Sequence, residues 1–310
     1  MPAFAVESSM YAAARRFACL LAVPAAVAAA GCGPSISGSD DDDVPIDAPL
    51  ATDAPAPIDA PTGTDAPDEM PSQVFAHSGQ MLYRIDTATN AAVMVGAFTN
   101  LGTQSMTDIA VDRDGRMIGV TLNKIFEVDK ATGASTKLAD FSGSDNLTSL
   151  SFVPANPAQP DGPEMLVAAT DTGAVIRIDV TGTTATSTVI GDYGQHNGMD
   201  VVSSGDIVYV RGFGTVATVD VGAITGDDYL AVIDPANNWA ATVIGTGTGF
   251  DKIFGVAFWG GALYGFADGG TGNGGSFIQI DRQTGRGTLI TAGAVRWFGA
   301  GVTTQAPLIP

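Results

Sequence analysis

Short apolar segments that end in aspartate recur along the chain from Ser72 onward. The five copies are Tyr83–Asp86, Phe126–Asp129, Ile176–Asp179, Ala231–Asp234 and Ile278–Asp281. Most of them are followed by turn residues, such as Ala131-Thr132-Gly133. β-Branched and aromatic residues bounded by Gly, Asn and Asp are typical of short strands. We expect each aspartate to accept hydrogen bonds from the backbone amides of the turn that follows it.

A second series of apolar triplets falls between the copies of the first. It consists of Ile109–Val111, Leu150–Phe152, Met199–Val201, Val256–Phe258 and Ala300–Val302. Together the two series predict four short strands in about 40 to 55 residues, with no amphipathic helix. One four-stranded sheet cannot bury both of its faces, so such units pack side by side in a ring. The pattern therefore predicts an all-β chain folded as a β-propeller. A β-sandwich would not explain five copies of the unit.

The order of the strands predicts how the ring closes. If the second series supplies the innermost strand of each blade, these strands begin near Thr107, Thr148, Gly198, Ile253 and Phe298, which makes five four-stranded blades. No strands follow the last of them, but 74–77, 81–86 and 92–95 supply the three that are missing. The N-terminal strands should therefore close the last blade and remove an exposed edge.

The third blade is irregular, because two segments fit its third strand. Thr215–Asp220 and Tyr229–Asp234 are both apolar and both end in aspartate. We interpret the extra segment as an inserted hairpin.

The repeated unit resembles the WD40-like, NHL-like and YncE-like propeller repeats of bacteria over nearly all of residues 72–310. Families with these repeats have many functions, so the resemblance implies a fold and leaves the function open.

The first 31 residues have the organisation of a signal peptide. Arg15-Arg16 precede the uncharged stretch Phe17–Ala30, which is shorter than the ~20 residues that span a bilayer. Met10 is a candidate for the true start, since it gives a compact basic leader. The segment Ala28–Gly33 resembles a bacterial lipobox, with Cys32 as the lipidated residue. The alternative is ordinary cleavage after Ala30, which would leave Cys32 as a free thiol.

Residues 32–71 predict a disordered acidic linker that follows the lipidated cysteine. Asp-Ala-Pro recurs every six residues, and ten carboxylates between Asp40 and Glu69 have no basic partner. Proline and like-charge repulsion favour an extended, unfolded chain. Linkers of this kind resemble those of myxobacterial and related exported proteins. The domain organisation is thus a signal peptide, a linker and a propeller from 72 to 310. The expected location is the bacterial cell envelope, at the periplasmic face or the cell surface, with the bilayer bound through the acyl anchor.

Charge and cysteine content exclude several functions. The formal net charge is −19, and residues 72–310 keep 22 acidic against 12 basic side chains. Such a chain is repelled by nucleic acid, so no nucleic-acid partner is expected. Both cysteines, Cys19 and Cys32, precede the propeller, which excludes disulfides and thiolate chemistry there. A monomer is expected.

The residues that enter each innermost strand predict a ligand site at one mouth of the central channel. The candidates are polar, charged or aromatic: Asp108, Asn146, His196, Asn197, Asp251, Lys252, Arg296 and Trp297. The alternative is that strand ends are polar only because they meet water. The favoured hypothesis is a binding or scaffold module for a protein, peptide or glycan, with no cofactor.

A metal-dependent hydrolase or lyase with a cation in the channel is the competing hypothesis. Only two histidines exist, His77 and His196, so a three-histidine zinc site is excluded. A calcium site of oxygen ligands is allowed by the residues present. No nucleophile elbow, phosphate loop or dinucleotide motif occurs.

Overall fold

The computed structural model describes residues 73–141, 149–222 and 226–310. All regular elements in these ranges are strands, and none of the described residues forms a helix that could cross a membrane. The predicted signal peptide, Cys32 and the linker lie outside the described residues.

The strands are named in chain order. They are β1 (Val74–His77), β2 (Met81–Asp86), β3 (Ala91–Ala97), β4 (Asp108–Val111), β5 (Met117–Val120), β6 (Lys124–Val128), β7 (Ser135–Phe141), β8 (Ser151–Pro154), β9 (Glu164–Ala169), β10 (Ala174–Thr181), β11 (Thr184–Asp192), β12 (Gln195–His196), β13 (Met199–Val210), β14 (Gly214–Val221), β15 (Tyr229–Asp234), β16 (Ala240–Ile244), β17 (Ile253–Trp259), β18 (Ala262–Ala267), β19 (Gly275–Ile280), β20 (Gly287–Gly293) and β21 (Gly299–Val302).

One sheet joins the two ends of the described chain. Its strand order is β21-β1-β2-β3, and β1 pairs antiparallel with β21 so that Val74 faces Val302 and His77 faces Gly299. The sequence predicted this pairing, because three N-terminal strands lacked an innermost strand and one C-terminal strand lacked the other three. The first strand of the domain therefore has a partner on both sides.

Three further sheets contain the remaining strands. The order β4-β5-β6-β7-β11-β10-β9-β8 describes two antiparallel sets of four strands, joined by a short parallel pairing of β7 with β11. The other two orders are β12-β13-β14-β15-β16 and β17-β18-β19-β20.

The first strands of these sets contact one another in a closed succession. β4 contacts β8, β8 contacts β13, β13 contacts β17, β17 contacts β21, and β21 contacts β4. A ring of innermost strands with antiparallel sheets radiating outward is the arrangement of a β-propeller. The all-β prediction is confirmed for the described residues.

The predicted inserted hairpin at the third blade is wrong. β14 and β15 pair with each other as the second and third strands of one sheet. The strand that pairs with β14 is β13, which is 12 residues long and has a bulge between Ser203 and Ile207. Its later part, from Asp206, contributes to the inner ring, so the innermost strand was placed too early, at Gly198. The bulge caused the error, because it splits one strand into two apolar segments.

Four of the five repeated aspartates bond the turn that follows the third strand, as predicted. Asp129 Oδ1 accepts from the amide of Ala131 at 2.7 Å, and Asp281 Oδ1 accepts from that of Thr284 at 2.8 Å. Asp86 and Asp234 do the same. These amide bonds lower the pKa of Asp86 and of Asp281. Asp179 differs, because β10 continues past it and its carboxylate pairs with Arg177.

The apolar core lies between neighbouring sheets. One cluster joins Ile85 of β2 and Val302 of β21 to Val256 and Phe277 of the β17–β20 sheet. The N-terminal strands thus share a core with strands almost 200 residues later in the chain, and they should unfold together with them.

Replacement of Ile85 by Ala tests this shared core. Ile85 is fully buried, so the change should lower the free energy of unfolding by about 2–5 kcal/mol in a single transition, as measured by urea denaturation. The control is Leu289→Ala, since Leu289 is 52% exposed on β20 and its loss should change stability by about 0.5 kcal/mol or less. An Ile85→Ala chain as stable as the control would show that the closing sheet is not part of the core.

Candidate functional site

One end of the propeller holds the residues that begin the innermost strands. Because adjacent strands are antiparallel, the second strand of each sheet stops at this end and the third begins there. We call it the entry end, and Asp108, Lys252 and Phe298 mark it at β4, β17 and β21.

Two buried aspartates lie where the innermost strands begin. Asp108 is 0% exposed at the start of β4, and Asp206 is 1% exposed at the bulge in β13. Asp108 Oδ1 accepts a hydrogen bond of 2.8 Å from its neighbour, the Ile109 amide. Asp206 Oδ2 accepts one of 3.0 Å from the amide of Val256 in β17. The backbone amide of Leu150, next to β8, is close enough to both carboxyl groups to lower their pKa values. The hydrogen bond from Val256 therefore joins Asp206 of β13 to the neighbouring innermost strand β17.

His77 and Tyr193 complete the buried cluster. His77 Nε2 lies 3.8 Å from Asp108 Oδ1, and its Nδ1 bonds the carbonyl oxygen of Ser78. Burial lowers the pKa of His77 to about 4, so its ring is neutral at pH 7. Burial and the charge of Asp206 raise the pKa of Tyr193 far above its usual value, so the phenol keeps its proton.

Burial is also the main reason that the pKa values of Asp108 and Asp206 stand well above the usual range, and the negative charge of Asp206 adds to the rise at Asp108. Each of the four side chains in the cluster is 1% exposed or less. The cluster is closed to any substrate and stabilises the ring rather than presenting a reactive surface.

The predicted site residues are divided between this interior and the entry end. Asp108 lies in the buried pair, below the mouth. Trp297 is 5% exposed and packs edge-on against Tyr83 and Phe266 in the core. His196 and Asn197 bond each other at 2.9 Å beside β13. Asn146 lies outside the described residues.

Asp251, Lys252 and Arg296 do lie at the entry end, together with acids that sequence reasoning missed. Lys252 Nζ pairs with Asp251 Oδ2 at 2.6 Å. Arg296 holds Asp268 with two hydrogen bonds of 2.7 and 2.6 Å and lies over the ring of Phe298. Both basic groups are thus already engaged with an acidic partner.

Asp220 and Asp228 place two further acids beneath this surface. Burial raises the pKa of Asp220 to about 6, and the charge of Asp251 contributes. Burial raises the pKa of Asp228 to about 7 although Asp228 Oδ2 accepts the Ile253 amide at 2.6 Å, and the charges of Asp220 and Asp251 add to the rise. The carboxyl groups therefore repel one another. Asp220 and Asp228 are only 6% and 1% exposed, so they lie beneath the surface, whereas Asp251 is exposed to solvent. We call Asp251, Asp268, Lys252 and Arg296, together with the underlying Asp220 and Asp228, the acidic entry surface.

The signal for these two acids was present in the sequence. Asp220 is the penultimate residue of β14, and Asp228 immediately precedes β15. Second strands end and third strands begin at the entry end, so a search limited to residues before the innermost strands could not find them.

No group of three or more His, Cys, Asp or Glu side chains in the described ranges is arranged to hold a metal ion. The crowded acids of the entry surface present charge without a coordination geometry.

A cavity of about 300 Å³ lies elsewhere, between the β4–β7 and β8–β11 sets. Its lining includes Ile118, Leu138, Phe152 and Leu166, and its one charged lining residue, Arg116, pairs with Glu127 at 3.0 Å. This cavity offers apolar surface without further polar chemistry.

Among known proteins, the chain is similar only to solved structures, and the similarity is weak. No protein-family model matches the chain, and no curated protein matches it. A nidogen/laminin complex gives a TM-score of 0.43 at 14% identity, covering 74% of this chain and 96% of that one. The Cps50 (Swd1) β-propeller domain of Myceliophteria thermophila gives a TM-score of 0.37 at 13% identity, and the match covers 72% of each chain. The Dos1 propeller gives a TM-score of 0.34 at 11% identity, and the match covers 72% of this chain and 58% of that one. The propeller fold of the present chain rests on its own strand order and inner ring.

Replacement of Gly299 by Ala tests the packing of the buried cluster. A Cβ at Gly299 would collide with Asp108 Oδ1 and His77 Nε2, so the variant should lose about 1–3 kcal/mol of unfolding free energy in urea denaturation. Gly293→Ala is the matched control, because a Cβ there meets nothing within 4 Å. Equal stabilities for the two variants would contradict the close packing at Gly299.

Proposed function

We propose that this chain is an exported, lipid-anchored binding module whose five-bladed propeller engages a basic segment of a protein or peptide at the acidic entry surface. The observation that carries the proposal is the crowding of carboxyl groups there. Four acids face two bases, Lys252 and Arg296, and both bases already pair with Asp251 and Asp268. Burial is the main cause of the raised pKa of Asp220 and Asp228, and repulsion by Asp251 adds to it. A guanidinium or ammonium group from a partner at the exposed Asp251 would offset that repulsion.

Support for five blades comes from the strand order. Each innermost strand among β4, β8, β13, β17 and β21 leads to three further antiparallel strands, with β1, β2 and β3 serving β21. The contacts between innermost strands return to their start without a sixth member among the described residues.

Support for the anchor comes from the sequence. Gly31-Cys32 follows an apolar segment too short to span a bilayer, and no cysteine follows it. Multiple acyl chains on one cysteine hold a protein at a membrane where a single chain would be marginal. The linker that follows would present the propeller away from the lipid surface.

Binding of an acetylated tetra-arginine amide to the full chain tests the acidic surface. Affinity, measured by isothermal titration calorimetry, should rise from pH 5.5 to 7.5, because Asp220 and Asp228 lose protons through about pH 6 and pH 7. It should fall as salt is added. Asp251→Asn removes one charge and frees Lys252, so it should weaken binding by about fivefold or more.

The matched control for this titration is Asp114→Asn. Asp114 is an exposed aspartate in the turn after β4, at the opposite end of the propeller. An equal loss of affinity in the two variants would mean that the peptide senses the overall charge of the chain or binds the charged cavity that Asp114 lines. Either result would reject the entry surface as the site.

Replacement of Cys32 by Ser tests the anchor independently of the binding site. The variant should lose incorporation of labelled fatty acid and move from the membrane to the soluble fraction of the expressing bacterium. Cys19→Ser is the control and should stay in the membrane fraction. Retention of both label and membrane association by the Cys32 variant would reject lipidation at this residue.

A further inference from the structure

The hydrogen bonds of Asp108 and Asp206 leave one oxygen on each carboxyl group unaccounted for. Asp108 Oδ1 and Asp206 Oδ2 accept backbone amides. Asp108 Oδ2 and Asp206 Oδ1 are both buried and have no hydrogen-bond partner. The two carboxyl groups are close enough that each affects the pKa of the other. Two carboxylate oxygens are both acceptors, so they can bond only if a proton lies between them.

No neighbouring cation neutralises the pair. Within the described part of the chain, the basic side chain that approaches either carboxyl group is that of His77, 3.8 Å from Asp108. Its Nε2 has no hydrogen-bond partner, and the ring is neutral at pH 7 because its pKa is about 4. Two unpaired negative charges in this interior would be very costly, and such a pair normally keeps a proton instead.

We propose that Asp108 and Asp206 share one proton in the folded chain at neutral pH, and that this proton makes closure of the propeller ring sensitive to pH. The proton forms an O–H···O⁻ bond between Asp108 Oδ2 and Asp206 Oδ1. Asp108 belongs to β4, Asp206 to β13, and Val256, which donates to Asp206, to β17. One proton thus ties together three members of the inner ring. This inference does not depend on the proposed function.

The direction of the pH dependence follows from linkage. In the unfolded chain both aspartates ionise near pH 4, whereas the folded pair retains a proton at higher pH. The stabilisation is therefore complete at acidic pH and is lost as the pH rises toward the raised pKa of the folded pair. Between these limits the unfolding equilibrium constant should increase tenfold per pH unit for the one proton held.

Other titrating groups near the pair must be separated from it. Folding lowers the pKa of His77, so His77 makes the folded chain more stable as the pH rises from about 4 to 6.5. Asp220 and Asp228 have raised pKa values, so, like the buried pair, they make the folded chain less stable as the pH rises to about 6 and 7. Tyr193 keeps its proton across the whole range. A variant that removes only the shared proton is therefore required.

Asp206→Asn supplies that variant in the full chain. Its amide can donate to Asp108 as the shared proton does, without titrating. Urea denaturation from pH 5 to 9 should show that the variant takes up one proton fewer on folding than the unaltered chain. For each pH unit, the unfolding equilibrium constant of the variant should therefore rise tenfold less than that of the unaltered chain. Asp200→Asn, at an exposed aspartate bonded to Gln195, should leave the pH dependence unchanged. An unchanged pH dependence in Asp206→Asn would overturn the proposal.

Carbon-13 spectra of the unaltered chain, labelled at aspartate carboxyl carbons, give a second measurement that does not require any variant to fold. One carboxyl of the buried pair should be protonated, or the two should share an intermediate shift, at pH 7. The resonances would be recognised by their failure to titrate both near pH 4 and near pH 6 to 7, where Asp220 and Asp228 titrate. If every aspartate carboxyl carbon titrates in one of these two ranges or below them, no shared proton exists.

Discussion

The propeller depends on the meeting of two carboxyl groups at its centre. Asp108 and Asp206 lie in the innermost strands and are almost fully buried, where an unpaired charge would be costly. Asp206 accepts an amide hydrogen from Val256 of a neighbouring strand, Asp108 accepts one from Ile109 of its own strand, and Gly299 leaves the space that Asp108 needs. The apolar clusters between the sheets supply most of the buried area. The carboxyl pair supplies directional bonds that set how the innermost strands meet.

Much of the fold could be predicted because its causes are local. Strand periodicity and turn residues specify each hairpin, and four turn aspartates bond the amides that their spacing predicted. The closing sheet followed from counting unpaired strands. The error at β13 arose because a bulge interrupts apolar alternation without ending the strand. Asp206-Ile207-Val208 repeats the pattern of Asp108-Ile109-Ala110, and that likeness would have identified the correct innermost strand.

The candidate site was less predictable because it is assembled across sheets. Asp251, Lys252 and Arg296 precede innermost strands and were found by position. Asp220 and Asp228 lie beneath the same surface on the second and third strands, and their raised pKa values result from burial and from repulsion by nearby acids that no single segment encodes. Trp297 shows the converse. It also precedes an innermost strand, yet its large ring fills the core, because burial decides the orientation of such a side chain.

The pairing of β1 between β21 and β2 makes the two ends of the folded domain one thermodynamic unit. In most domains a terminal strand lies at an edge and frays by itself. Here, loss of β1 would remove the partner of β21 as well as that of β2, and detachment of β21 would open the inner ring. An exopeptidase that approached from the C-terminus, or a mechanical load applied through Gln73, would therefore have to break a ladder shared by both ends. The β1–β21 pairing that closes the ring therefore opposes unfolding from either terminus of the domain.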